Sequence, residues 1–245
     1  MNYLLEIIAF NIESVLLAQN SGAHRIELCD NPGEGGTTAS YGMIKTAREK
    51  TTLLLYPIIR PRGGDFLYNE EAFEIMKRDV LLCKELQCDG VVIGLLQKDG
   101  SIDKARTARL VEAAYPMGVT FHRAFDRVAN PFEALEDVIE TGCERILTSG
   151  LKPTAPEGAD TIEALVRQAD DRIIIMPGSG VRADNIATLA QQTQAVQFHS
   201  SARKSMASAM EYINVQMNEK LASVQLDTDE VAGMIEALAA LDAGR

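Results

Sequence analysis

Short apolar segments alternate with amphipathic segments along the whole chain of 245 residues. The apolar segments have the length of β-strands, whereas the segments between them repeat apolar residues three and four positions apart, as helices with one buried face do. The predicted strands span residues 4–10, 25–29, 53–59, 90–94, 118–122, 145–149, 172–177 and 195–199. The predicted helices span residues 12–21, 40–49, 69–87, 104–115, 131–141, 161–170, 182–192 and 229–242.

This alternation of strands and helices predicts parallel strands that are joined by right-handed crossovers. Eight consecutive units predict an α/β fold, a TIM (β/α)8 barrel, with a single domain over residues 1–245. An open doubly wound sheet is the alternative, and the length would also allow two small domains, but eight units without interruption favour a closed barrel.

The segment 200–228 is long for a connection between a strand and a helix. It follows the eighth strand and precedes the C-terminal helix. In a barrel it would lie on the face where the strands end, and there we expect it to cover a pocket or to pack against a second subunit. Within it, Met206 and Met210 are four positions apart, which predicts that they pack on one face of a helix.

Alternate positions of each strand separate an outer face from an inner face. The outer face of a barrel packs on helices and must be apolar, so polar residues at alternate positions are assigned to the inside. The inner positions are Glu6 and Ile8, Glu27 and Cys29, Tyr56, Thr120 and His122, and Gln197, His199 and Ser201. Because strand C-termini converge on one face of a barrel, these side chains are expected to share one pocket.

Two strand ends continue into loops that are dense in charged residues. Arg60, Arg62 and Asp65 lie in the loop after the third strand, and Arg123 and Asp126 follow the fifth. Guanidinium groups match carboxylate or phosphate, and carboxylates near cations can stay ionised and act as bases or cation ligands. The predicted catalytic residues are therefore Glu27, His122, His199 and Asp126. The alternative is that Glu6 and Glu27 only neutralise Arg60 and Arg123 in a structural network.

A glycine-rich turn, Gly178-Ser-Gly-Val181, follows the seventh strand and is predicted to open a helix. The loops after the last two strands form the usual phosphate site of such barrels, because free backbone N–H groups point at the anion. The alternative is a tight turn with no anion bound. The predicted anion-binding set is Arg60, Arg62, Asp65, Arg123, Ser149, Gly178, Ser179, Gly180, Ser201 and Arg203.

Metal binding requires donors that converge on one point. Glu6, Glu27 and Cys29 are the candidate ligands at the pocket, where Glu6 and Glu27 could hold a divalent cation. The three other thiols, Cys83, Cys88 and Cys143, precede strands four and six and belong to the opposite end of the barrel. Four thiolates, the donors that Cu(I) prefers, therefore cannot meet in one site.

The charge balance restricts the class of partner. With 24 Lys and Arg against 35 Asp and Glu, the net charge is −11, which disfavours nucleic acid and membrane partners. The first ten residues lack the basic start of a signal peptide, and no apolar run is long enough to cross a bilayer. Four cysteines in a chain without a secretion signal predict reduced thiols and a cytoplasmic protein.

Several of these strings together resemble the CutC family of copper homeostasis proteins. The matching strings are Arg25-Ile-Glu-Leu-Cys29, Glu34-Gly-Gly36, Ile59-Arg-Pro-Arg-Gly-Gly-Asp-Phe66, Thr120-Phe-His-Arg-Ala-Phe-Asp126, Arg145-Ile-Leu-Thr-Ser-Gly150 and His199-Ser-Ser-Ala202. The resemblance implies a TIM barrel, a cytoplasmic homodimer and a role in copper homeostasis through copper binding. The chain departs from the family at Gly35-Gly-Thr-Thr-Ala-Ser40, where a Gly-Gly-Leu-Thr-Pro-Ser string is usual.

Two functional hypotheses follow. The resemblance implies a cytosolic protein that binds copper. The residue chemistry instead favours an enzyme that acts on a small phosphorylated or carboxylated substrate by acid–base chemistry, with or without a divalent cation, because the shared strings are rich in Arg, Glu, His and Gly.

Overall fold

Strands and helices alternate as the sequence predicts in the computed structural model, which describes residues 3–243. Within these residues the barrel strands are Leu4–Ala9 (β1), Arg25–Leu28 (β2), Leu54–Pro57 (β3), Gly90–Ile93 (β4), Gly118–Phe121 (β5), Arg145–Thr148 (β6), Ile174–Pro177 (β7) and Gln197–Ser200 (β8). The helices are Ile12–Asn20 (α1), Tyr41–Lys50 (α2), Glu70–Glu85 (α3), Lys104–Ala114 (α4), Pro131–Glu140 (α5), Ala159–Ala169 (α6), Ile186–Thr193 (α7) and Thr228–Ala243 (α8). The predicted domain 1–245 also includes Met1, Asn2, Gly244 and Arg245, which lie outside the described residues.

The strands form two parallel four-stranded sheets, in the orders β3-β2-β1-β8 and β4-β5-β6-β7. Between β3 and β4 the sheets are joined by a parallel bridge from Ile58 to Val92, and the Ile59 N–H donates to the Val92 carbonyl at 2.8 Å. At the other junction, the hydroxyl of Ser200, the last residue of β8, donates to the carbonyl of Val181 after β7, at 2.7 Å. The sheets therefore close into the predicted (β/α)8 barrel.

Side-chain caps fix where many of the helices begin. Asn11, Ser40, Asn69, Asp103 and Asn130 each accept a hydrogen bond from a backbone N–H in the first turn of the following helix, at 2.7–3.2 Å. Such caps satisfy N–H groups that have no partner within the helix. They set the point at which each loop ends, and so they hold the loops at the strand C-termini in place.

The barrel interior contains an apolar layer and an ionic layer. Ile8, Cys29, Tyr56, Ile58 and Val92 form the buried apolar layer. The ionic layer is built on two guanidiniums from the first residues of β2 and β6, and its contacts are Arg25 to Gln197 at 3.0 Å, Arg145 to Gln197 at 2.9 Å and Arg145 to Glu144 at 2.7 Å. Barrel interiors are usually filled with branched apolar residues, so an ionic layer beneath the strand ends is an unusual feature that concerns the site above it.

Residues 203–226 form an arm that projects from the barrel after β8. Its two strands, Arg203–Met206 (β9) and Ser223–Leu226 (β10), pair antiparallel. The prediction that Met206 and Met210 share a helix face is wrong, because Met206 lies in β9, Met210 lies in the following turn, and both are exposed. The arm contributes Arg203 to the mouth of the barrel. Its packing against a second subunit stays a prediction, and the mass of the protein in solution would show whether a dimer forms.

No helix within residues 3–243 is both long enough and apolar enough to span a membrane. The four cysteines are free thiols and all are buried.

Candidate active site

A cavity of about 300 Å³ opens where the barrel strands end. Nine of the residues predicted from the sequence line it, namely Glu27, Arg60, His122, Arg123, Ser179, Gly180, His199, Ser201 and Arg203. The lining is completed by Ile8, Phe10, Gly35, Ile58, Phe66 and Leu147. The alternation of strand positions therefore brought together side chains from distant parts of the sequence, as expected.

Strand register determines the contacts of His199. In the parallel ladders of β1 with its neighbours, Glu6 lies opposite Arg25 of β2 and opposite His199 of β8. The Glu6 carboxylate accepts a hydrogen bond from His199 Nδ1 at 2.7 Å and forms a buried ion pair with the Arg25 guanidinium. All three side chains are nearly inaccessible to solvent, so this arrangement is a fixed part of the barrel interior.

The charge of Arg25 keeps Glu6 ionised. Burial alone would raise the pKa of Glu6, but Arg25 and the hydrogen bond from His199 outweigh burial and hold that pKa well below its usual range. An ionised carboxylate only accepts hydrogen bonds, so His199 Nδ1 carries the proton of this contact. The other ring nitrogen, Nε2, lies 3.7 Å from Glu27 Oε2. Glu6 thus orients His199 towards Glu27.

Glu27 and His199 form an acid–base pair. Burial raises the pKa of Glu27 to about 7, and the negative charge of Glu6 acts in the same direction, while His199 and Arg25 oppose the shift. Burial would lower the pKa of His199, but the hydrogen bond to Glu6 and the charges of both carboxylates raise it overall. A carboxyl group that titrates near neutral pH can both take up and release a proton during a reaction.

His122 lies in a different environment at the end of β5. Its Nδ1 accepts a hydrogen bond from the Ala124 N–H at 3.1 Å, so the ring proton is on Nε2. Burial and the nearby charge of Arg60 lower the pKa of His122 to about 3, which keeps the ring neutral. Among the described residues, the buried Nε2 atom has no hydrogen-bond partner.

Arg60 is buried and holds the loops around it. Its two terminal nitrogens donate to the carbonyls of Glu34, Gly36 and Gly64 at 2.7–2.8 Å, and its guanidinium stacks on Phe66 with 4.9 Å to the ring centroid. Arg60 Nε has no partner within residues 3–243. The alternative that Arg60 neutralises Glu6 is wrong, because Arg25 occupies that position.

Asp126 was predicted to be catalytic, but it does not line the cavity. Its buried carboxylate accepts hydrogen bonds from the Arg123 guanidinium at 2.7 Å and from the Ser149 N–H at 2.9 Å. Ser149 in turn accepts from Arg123 at 2.8 Å. Both residues therefore support Arg123, which lines the cavity itself and pairs with Asp126 instead of with Glu6 or Glu27.

Three further predictions need correction. Arg62 and Asp65 pair with each other at 2.6 Å on the exposed side of their loop and do not line the cavity. Gly178 also lies outside the lining, and a Cβ there would approach Leu147 to 2.4 Å, so this glycine serves close packing. The glycine turn does not open a helix directly, because α7 begins only at Ile186, and Ser179 and Gly180 reach the cavity from the turn itself.

The structure brings together two of the three candidate metal ligands, Glu6 and Glu27, and not Cys29. Within the described chain, the donor atoms that come within 4.8 Å of one another belong to Glu6, Glu27 and His199. Cys29 is not part of this group, and burial raises the pKa of its thiol well above the usual value. Both oxygens of Glu6 are already engaged, one by Arg25 and one by His199, so the group is internally paired.

Copper does not fit the donors of this pocket. Cu(I) prefers thiolate and thioether ligands, whereas the converging donors here are two carboxylates and an imidazole. Cys83 and Cys88 flank the turn before β4, and Cys143 lies in the turn before β6, so these thiols are at the other end of the barrel. No chemical step is assigned to copper on this basis.

Arg25 is the functional residue that sequence reasoning missed. The signal was available, because the alternation that places Glu27 inside the barrel places Arg25 inside as well. A buried arginine requires a buried acceptor, and Glu6 on the neighbouring strand supplies it.

The fold and this pocket define a TIM-barrel protein with acid–base groups at its mouth. A phosphoribosylanthranilate isomerase from Thermotoga maritima has the same fold, with a TM-score of 0.60 and 11% identity over 97% of this chain and 99% of its own. The sequence profile of the CutC family matches residues 3–204, and the chain belongs to this family.

Individual relatives agree with this assignment. The CutC family proteins of Chromobacterium violaceum and Parabacteroides distasonis are 53% and 51% identical to this chain, and the matches cover 86% and 93% of it and 86% and 95% of the relatives. The crystal structure of CutC from Streptococcus agalactiae, whose description associates it with copper homeostasis, has a TM-score of 0.78 and 35% identity over 81% of this chain and 98% of its own. The arm after β8 lies almost entirely beyond the family match, whereas every cavity residue lies within it.

Proposed function

We propose that this protein is a cytoplasmic enzyme that binds a small anionic metabolite at the barrel mouth and moves a proton to or from it with Glu27 and His199. The main support for this proposal is that one cavity combines a buried carboxylate–imidazole pair with arginine side chains. Glu6 fixes this pair from below. Fixed acid–base pairs of this kind are typical of catalysis by proton transfer.

The anionic group of the ligand is assigned to the rim formed by Arg123, Arg203, Ser179, Gly180 and Ser201. The two guanidiniums supply charge and N–H donors, and Ser201 supplies a hydroxyl donor, whereas the Ser179 hydroxyl already donates to the Pro153 carbonyl at 2.8 Å. Ser179 and Gly180 both have positive φ angles, of 77° and 71°, so the backbone turns sharply beside the cavity. These cations lie together in a protein whose net charge is −11 and would otherwise repel anions. Their clustering at the cavity therefore supports a role in binding an anionic ligand.

Proton transfer is assigned to the opposite, deeper part of the cavity. With a pKa near neutrality, Glu27 can accept a proton from a bound ligand, and His199 can return one from Nε2. Glu6 does not leave its ionised state, so its role is to hold the imidazole in one orientation and to stabilise the positive ring. Arg25 is a positioning residue for both carboxylates.

Copper binding, which the family resemblance implies, is not part of this proposal. The converging donors are oxygen and nitrogen atoms, and the described thiols are buried, with Cys83 and Cys88 adjacent to each other but away from the cavity. A divalent cation is not included either, since both oxygens of Glu6 have protein partners.

Calorimetric titration with inorganic phosphate tests the proposal. We expect saturable binding that weakens at least tenfold in Arg203→Ala and in Arg123→Ala, because each variant removes a cation from the rim. Arg172→Ala is the matched control, since Arg172 pairs with Glu136 at the other end of the barrel. Circular dichroism verifies that each variant is folded. The proposal fails if phosphate and a panel of phosphorylated and carboxylated metabolites do not bind, or if the rim variants bind as tightly as the control.

A further inference from the structure

The wall formed by β3 and β5 presents two buried N–H groups that no described residue accepts. They are His122 Nε2 and Arg60 Nε, and both residues line the cavity. Phe66 packs against both residues, with its ring centroid 4.9 Å from the Arg60 guanidinium and 4.9 Å from the centroid of the His122 ring. Buried donors are almost always paired in proteins, so two of them at one cavity indicate a place for an acceptor atom of a ligand.

The His122 ring is fixed in position and in tautomer. Its Nδ1 is used by the Ala124 N–H, and the ring packs over Gly94, where a Cβ would approach the imidazole to 2.3 Å. Only glycine at position 94 leaves room for this ring. His122 therefore offers an uncharged N–H donor that needs no reorganisation when a ligand binds.

A neutral donor and a cationic donor together suit an oxygen on which negative charge develops during a reaction. An oxygen that is already fully anionic, such as a phosphate oxygen, is better served by the guanidiniums and the Ser201 hydroxyl of the rim. The two sets of donors are thus matched to two different groups of one ligand. The acid–base pair Glu27–His199 lines the same cavity.

Resting on the proposed function, we propose that the substrate is an anionic α-hydroxy carbonyl compound, whose carbonyl oxygen is held by His122 Nε2 and Arg60 Nε while Glu27 removes a proton from the adjacent carbon. The C–H bond breaks, its electron pair forms a carbon–carbon double bond, and the carbonyl oxygen becomes the oxyanion of an enediolate. Return of the proton from Glu27 to the same carbon restores the substrate and exchanges that proton. Return to the former carbonyl carbon, together with transfer of the hydroxyl proton to the oxyanion, gives the isomeric α-hydroxy carbonyl compound. The step is redox-neutral and needs no co-reactant.

Two phosphorylated probes separate this inference from anion binding alone. Phosphoglycolohydroxamate resembles the enediolate of a three-carbon substrate, whereas glycerol 3-phosphate carries the same phosphate without a carbonyl or an enediolate. We expect the wild-type protein to bind the hydroxamate at least tenfold more tightly than glycerol 3-phosphate. His122→Leu should remove this preference by weakening hydroxamate binding at least tenfold, while His122→Gln, which keeps an N–H near the same position, should retain part of it.

Exchange of the carbon-bound protons of dihydroxyacetone phosphate in D2O, followed by NMR, provides the second readout. We expect exchange above the uncatalysed rate, and a loss of at least a hundredfold in Glu27→Gln. If both phosphorylated probes bind with equal affinity and no exchange occurs, the inference is overturned while the proposed anion site stands. If neither probe binds, the inference is overturned, and the proposed function fails as well if inorganic phosphate and the metabolite panel also do not bind.

Discussion

The two walls of the barrel mouth each present one buried histidine, and the charges around the two histidines are opposite. On the wall of β1, β2 and β8, His199 lies between the carboxylates of Glu6 and Glu27, and its pKa is raised. On the wall of β3 and β5, His122 lies near the Arg60 guanidinium, and its pKa falls to about 3. The same residue type is therefore prepared for proton transfer on one wall and for neutral hydrogen-bond donation on the other.

The contrast between His199 and His122 shows that residue identity alone does not assign a role in this pocket. Both histidines are almost fully buried and both follow from the same alternation of strand positions. Their neighbours decide the outcome, because a carboxylate favours the charged imidazole and a guanidinium disfavours it.

Arg25→Met should have the largest effect, because it removes the cation that pairs with Glu6. A buried charge without its partner costs about 3–5 kcal/mol of unfolding free energy. Arg172→Met, which removes an exposed ion pair with Glu136, should cost less than about 1 kcal/mol. Chemical denaturation of both variants at pH 7 measures the difference. Equal and small losses would show that the β1–β2–β8 wall is not held together by this pair.

Glu27→Gln should raise the free energy of unfolding, relative to the wild type, more at pH 8 than at pH 5. The folded-state pKa of about 7 exceeds the usual value of 4.5, so the stability that Glu27 contributes is present below pH 4.5 and is lost as the pH rises through 7. The charges that face Glu27 are those of Glu6, Arg25 and His199, and their coupling limits the gain to about 1–3 kcal/mol. Unfolding free energies of the wild type and the variant at both pH values test this, and an identical pH dependence would contradict it.

His122→Gln should change the pH dependence of the unfolding free energy in the opposite direction, and by a smaller amount, than Glu27→Gln does. The pKa of His122 is lowered from 6.5 to about 3 by burial and by the charges of Arg60 and Arg127. Its contribution is therefore complete above pH 6.5 and is lost as the pH falls towards 3. Between pH 7 and pH 5, the wild type should lose about 1–2 kcal/mol that the variant does not lose. Parallel stability curves for the two proteins would remove the distinction between the walls.

A quadruple Cys→Ser variant should leave the affinity for Cu(I) unchanged. The thiols of Cys29, Cys83, Cys88 and Cys143 are buried and do not converge. Competition with a chromophoric Cu(I) chelator measures the affinity, and Cys29→Ser carries the test if the quadruple variant does not fold. A stoichiometric Cu(I) site that disappears in either variant would show that the thiols bind copper, and would contradict the assignment of this protein to acid–base chemistry.

The sequence predicted the barrel and most of the cavity lining, because both follow from strand periodicity and from the common face at which parallel strands end. It did not predict which charges would pair. Arg25, Arg60 and Arg123 can all reach an inner carboxylate in principle, and only the ladder register of Glu6 with Arg25 and His199 decides between them.

Loop residues were predicted less well for a related reason. Arg62 and Asp65 belong to the same charged string as Arg60, yet the path of the loop turns them to the outside. Likewise, the helix after the glycine turn begins at Ile186, four residues later than predicted, since a local hydrogen bond from the Asn185 side chain to the Gly180 carbonyl closes the intervening residues. Periodicity carries no information on the direction of an irregular segment.

An NMR titration of the imidazole Cε1–H signals tests whether the pKa values of the two mouth histidines are shifted in opposite directions by the charges around them. We expect the pKa of His199 to lie above 6.5 and His122 to stay neutral down to about pH 3, while His24, exposed at the other end of the barrel, serves as the internal comparison. His122→Gln and His199→Gln assign the signals. Two mouth histidines that titrate together near 6.5 would contradict the account.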